Sequence, residues 1–94
     1  MRTFILTLCV TAALPALAQA ACFVEYKAKQ DSPLRLHYGI LQIDGACPGG
    51  GQTRAITADR LQRGGWTLLN IVGRSETVPE DNKKANAGAY YLRY

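Results

Sequence analysis

The first twenty residues constrain this chain more than any other feature. Met1-Arg2-Thr3 is a short positive start, Phe4 to Ala13 is an apolar run of signal-sequence length, and Leu14-Pro15 breaks it. Ala18-Gln19-Ala20 then places small residues three and one positions before a cut at Ala21. A bilayer-spanning helix takes about 20 apolar residues, and Pro15 with Gln19 leaves this stretch short. The segment 1–20 is therefore expected to be a cleaved signal peptide. Residues 21–94 are then a single small domain for the periplasm or for secretion, with no transmembrane span in the mature chain.

Cleavage leaves 74 residues, takes the net charge from +4 to +3 with Arg2, and reduces three cysteines to two with Cys9. That length excludes two full domains, a barrel enzyme and a Rossmann dehydrogenase. With 48% apolar and 19% charged residues, the chain has the composition to collapse rather than stay disordered. Cys22 could instead be the lipidated residue of a lipoprotein, but Gln19-Ala20-Ala21 lacks the apolar residue wanted three places before it. Lipidation would also strand Cys47 as a lone thiol. Paired with each other, Cys22 and Cys47 have one connectivity and supply the staple that small exported domains need. Closing that loop is worth about 3.5 kcal/mol by the chain-entropy estimate. Two cysteines and a distant His37 do not make a zinc spacing, so no metal is expected.

Periodicity gives the architecture. Cys22, Val24, Tyr26 and Ala28 alternate with Phe23, Glu25, Lys27 and Lys29, the signature of a strand buried on one face. Gln30-Asp31-Ser32-Pro33 is a turn cluster. Beyond it Leu34, Leu36, Tyr38 and Ile40 alternate with Arg35, His37 and Gly39, which predicts a hairpin with the first strand. The apolar parity shifts after Gly39, suggesting a bulge or burial on both faces. Asp44 to Gly51 reads as loop. From Thr53 the pattern is helical, with Ala55, Ala58 and Leu61 on one stripe, Ile56 beside them and Gly64 as the left-handed stop. Trp66 to Val72 is apolar on both faces and predicts the central, most buried strand.

Thr77-Val78-Pro79-Glu80 has capping-box spacing and predicts a short helix ending near Asn86-Ala87-Gly88. Ala89 to Tyr94 is too aromatic for a frayed tail and reads as a last strand. The expected fold class is α+β: a small, mainly antiparallel four-stranded sheet in the order β-β-α-β-short α-β. One amphipathic helix packs on one face, and one disulfide closes it. The expected core is Leu36, Tyr38, Leu61, Trp66, Leu68, Leu69, Ile71 and Val72.

Gly64-Gly65-Trp66-Thr67-Leu68-Leu69-Asn70-Ile71-Val72, following an amphipathic helix, resembles the helix–Gly-Trp–strand element of certain small bacterial domains of unknown function. Cys22 to Lys29, Leu34 to Gly39 and Ala85 to Tyr94 together are similar to short exported proteins of Rhodobacter-like alphaproteobacteria. That resemblance spans nearly the whole mature chain. It implies a bacterial periplasmic setting and brings no activity or catalytic residue with it.

Candidate chemistries are few. Gly45 to Thr53 lies where phosphate loops lie, between a strand and a helix, but it has no lysine and Pro48 has no N–H to donate. His37 is the only histidine, and neither Ser32 nor Ser75 sits on a nucleophile elbow. No feature marks Glu25 or Asp44 as a buried, raised-pKa carboxylate. Cys22 and Cys47 lack the Cys-x-x-Cys spacing of redox catalysts. No catalytic residue, cofactor or metal is expected.

The remaining candidates are surfaces. Lys27, Lys29, Arg35 and His37 are expected on the outer face of the hairpin, and Tyr90, Tyr91 and Tyr94 on a terminal strand able to meet a partner. Basic residues among aromatics resemble a single-strand nucleic-acid platform, but export and a modest +3 charge exclude nucleic acid. The expected function is a non-catalytic exported envelope or periplasmic module, binding or structural. Its partners would be a protein, an anionic envelope component or a second copy through the C-terminal strand. The alternative is a small secreted inhibitor of a hydrolase, acting through an exposed rigid loop such as Pro48 to Gly51.

Overall fold

A computed structural model describes residues 20–94; all but the last residue of the expected leader, Met1–Ala20, lies outside the described residues. The chain runs β1 (Ala21–Gln30), β2 (Arg35–Asp44), α1 (Gly50–Arg63), β3 (Thr67–Ser75), α2 (Asp81–Ala87) and a 3-10 turn (Gly88–Tyr90). The result is a small α+β fold with an antiparallel sheet and one disulfide, Cys22–Cys47, whose Cα atoms stand 4.8 Å apart. The disulfide ties β1 to the segment leading into α1.

The sheet has three strands in the order β2-β1-β3, not four. β1 and β2 form the expected hairpin, in unbroken register from Ala21↔Asp44 to Gln30↔Arg35. β1, not Trp66 to Val72, is the central strand. β3 pairs only with β1, and its register slips twice, between Glu25/Tyr26 and between Lys27/Ala28. Each slip leaves one extra residue on β3, Val72 and Leu69 respectively, as a bulge requires. This corrects the expected core: Leu69 and Val72 are exposed, while their neighbours Leu68 and Ile71 are half-buried against the core. The apolar run of β3 reads as doubly buried because the sequence does not mark which of its residues the ladder skips.

The hairpin register sets the faces. Because Ala28 opposes His37 and Lys29 opposes Leu36, the apolar set of β1 shares a face with Arg35, His37, Gly39, Leu41 and Ile43. That face carries the main core: Cys22, Val24, Tyr26, Ala28, Leu41 and Ile43, closed over by Leu61 and Trp66. Leu36 and Tyr38 lie on the other face, so their expected place in this core is also corrected. Leu36 is exposed, and Tyr38 joins a second cluster of Phe23, Ile40 and Ala87 on the opposite side. Ile40 and Leu41 are both fully buried, so burial on both faces does begin just past Gly39. The register through Gly39 is unbroken. A Cβ there would lie 2.6 Å from Cζ of Tyr26, so glycine is what lets the tyrosine ring lie flat on β2.

α1 begins at Gly50, three residues before the expected start, and buries Thr53, Thr57 and Leu61. Ala55 is exposed, so the buried stripe is rotated from the expected one. Thr53 Oγ1 donates to the Pro48 carbonyl at 3.2 Å. Arg60 donates to the Gln42 carbonyl at 2.7 Å and pins the helix to β2. The helix ends in a Schellman pair: Gly65 N–H to Gln62 O at 3.0 Å and Trp66 N–H to Leu61 O at 2.9 Å. The left-handed residue is Gly65, at φ 87, one place after the expected Gly64.

The C-terminal aromatic segment is not a strand. After the 3-10 turn, Tyr91 makes a single parallel bridge to Ile40, and Leu92 N–H donates to the Ile40 carbonyl at 2.7 Å. Leu92 then takes a φ of 56, which ends any extended run. The tail thus straddles the outer edge of β2. Tyr90 and Tyr94 pack on the main core and Tyr91 on the second cluster.

Candidate functional site

The structure separates the four basic residues expected on one face. Lys27 and Lys29 stand opposite Tyr38 and Leu36 on the face away from α1. Arg35 and His37 stand on the α1 side.

His37 is held inside an aromatic cage. Its ring stacks on Tyr90 with centroids 3.7 Å apart and meets Trp66 edge-on at 4.3 Å. Nε2 lies 2.9 Å from the Tyr26 hydroxyl, while Nδ1 is buried without a partner. Burial lowers the His37 pKa from its ordinary value, because the charged ring would be stripped of the water that solvates it. Burial also raises the Tyr26 pKa, helped by nearby Tyr94 and Tyr90. This cluster fastens the tail to the sheet. Tyr94 completes it by lying against Gly64, where any Cβ would strike its ring. The three expected partner-surface tyrosines, Tyr90, Tyr91 and Tyr94, are thus half-buried in packing within the chain. A dimer through a terminal strand has no strand here to use.

On the opposite face the carboxylate of Glu25 is fully engaged. Tyr38 Oη donates to Oε1 at 2.9 Å and Lys83 Nζ to Oε2 at 3.0 Å. Burial, then the hydrogen bond and charge of Glu25, push the Tyr38 pKa up to about 12. A cleft of about 200 Å³ lies beside this pair, between Phe23, Ser75, Val78 and Lys83. Among the described residues no group of three or more His, Cys, Asp or Glu side chains is placed to hold a metal. The segment Pro48 to Gly51 is short and anchored: Arg74 donates to the Pro48 carbonyl, and Gly50 and Gly51 belong to the first turn of α1.

Lys27 and Lys29 are expected on an outer hairpin face; what the sequence did not single out is the exposed leucines beside them. Leu34 and Leu36 are each 65% exposed and Leu69 is 43% exposed. Leu36 and Leu69 line an open depression of about 300 Å³ with Tyr38 and Lys27. Neither α2 nor the tail reaches it, because both pack near Phe23 and Ile40. A signal for this was available. A turn at residues 31–34 forces Leu36 opposite Lys29 and Tyr38 opposite Lys27, so the leucines and lysines must share one face.

Compared with protein-family models, curated proteins and solved structures, the chain matches none.

Proposed function

We propose that this chain is a non-catalytic exported module that binds its partner through the open, hairpin-end face of its sheet. The observation that carries this reading is the pair Leu36 and Leu69 left in solvent beside Lys27, with exposed Leu34 in the adjoining turn, while the other side of the same strands carries the main core. Scattered exposed leucines are ordinary, whereas three at one end of one sheet form a patch of the kind that marks interaction sites. The disulfide suits an oxidising compartment, and no helix among the described residues is long and apolar enough to cross a membrane. A periplasmic setting follows from the expected leader and from the alphaproteobacterial resemblance.

Photo-crosslinking in the producing cell tests this reading. A photoreactive amino acid at Leu36 should give abundant adducts in the envelope fraction, and one at Arg54 on the exposed side of α1 should give few. Equal yields at the two positions would refute it.

A further inference from the structure

We infer that the hairpin-end face docks on a bilayer surface carrying anionic phospholipid headgroups. This rests on the binding face proposed above and names its partner. The residue types at the patch decide between a lipid and a protein. Protein interfaces concentrate energy in Trp, Tyr and Arg, with Leu under-represented and Lys depleted. The patch here is weighted the other way: Leu34 in the turn at the tip, Leu36 on β2, Leu69 on β3, and Lys27 and Lys29 on β1, with Tyr38 its one aromatic and that hydroxyl already committed to Glu25. Aliphatic side chains beside lysines suit a lipid interface, where the leucines enter the acyl boundary and the lysine stems lie along them with their ammonium groups at phosphate level.

Charge points the same way. Lys29 opposes Leu36 and Lys27 opposes Tyr38, so both cations rise from the same face as the apolar side chains. The two nearby carboxylates are already paired: Asp31 with Lys29 at 3.3 Å and Glu25 with Lys83 at 3.0 Å. Among the described residues Lys27 has no carboxylate partner, so its charge is free on this face.

Vesicle co-sedimentation of the oxidised protein, as recovered from the cell, tests the inference. Vesicles containing phosphatidylglycerol should bind it, and phosphatidylcholine vesicles should bind it at least tenfold less. Leu34→Ser with Leu36→Ser should lower binding at least tenfold while leaving the circular dichroism spectrum unchanged. Lys27→Gln and Lys29→Gln should each cost about fivefold, and added salt should do the same. Equal binding to both vesicle types, or binding that survives the double serine variant, would overturn the inference. So would absence of vesicle binding. If position 36 then crosslinks to a protein, the binding face stands and only its lipid partner is lost; if it crosslinks to nothing, both fall.

Discussion

The two faces of this sheet are built from the same strands by different means. On the α1 face, alternate residues of β1 and β2 meet a helix, a disulfide and Trp66, and the contact is continuous from Cys22 to the His37 cage. On the other face only the half around Phe23 and Ile40 is covered, by α2 and by Tyr91. The hairpin end is left with leucines and lysines in water. A strand's two sides are separate surfaces because successive side chains point opposite ways. One side can be spent wholly on stability and the other left for contact.

If that division is right, substitutions on the α1 face should be costly. Trp66→Ala should lower stability by about 3–5 kcal/mol, because the indole is 7% exposed and joins Leu61 to the sheet. Urea denaturation measures this, and a loss below about 1 kcal/mol would show that the core does not centre there. Opening the disulfide with a reductant, or by Cys22→Ser with Cys47→Ser, should cost about 3.5 kcal/mol on the same assay. Gly39→Ala comes next, at about 1–3 kcal/mol, because the new methyl must displace the Tyr26 ring from β2. Gly49→Ala, where a Cβ would meet nothing within 4 Å, should cost less, only the loss of a glycine N-cap on α1.

A smaller effect separates the faces by pH. His37 belongs only to the α1 face, and its folded pKa lies below 6.5. The unfolded chain therefore takes up the proton first. Stability is full above about pH 6.5, falls as pH drops through that value, and levels off below the folded pKa. Trp66, 4.3 Å from the imidazole, reports this directly: its emission should titrate with a midpoint below 6.5, and His37→Gln should abolish the step. Tyr91, on the other face, should show no matching change in its ring signals by NMR.

Much of this fold can be read from the chain, and the failures share one cause. The strand β1, the hairpin, the cysteine pair and the glycine stop after α1 are local or nearly local patterns. Lys27, Leu36, Leu69 and Tyr94 depend on who sits opposite. Leu36 follows from turn arithmetic, since the residue facing it is fixed once the turn spans 31–34. Leu69 and Val72 do not follow, because a bulge is a property of a strand pair. The tail Ala89 to Tyr94 has strand composition, yet its tyrosines are held by His37 and Gly64, residues far away in sequence. Aromatic content foretold that the tail docks; only the tertiary contacts decide that it docks as a turn.

The smallest expected effect sharpens the comparison most. Leu36→Ser should change stability by no more than about 0.5 kcal/mol, since the side chain is 65% exposed and closes no cavity. In an ordinary core strand the same substitution would be among the most damaging. Leu41 supplies that contrast: it lies on the same strand, is fully buried, and Leu41→Ser should unfold a protein of this size or nearly so. Two leucines five residues apart on β2 would then differ by several kcal/mol in what they contribute to folding. A leucine that adds almost nothing to stability, in a chain with few residues to spare, is kept in water for contact. Matching losses at positions 36 and 41 would mean instead that the hairpin end is covered in the folded protein, and the division between the faces would fail.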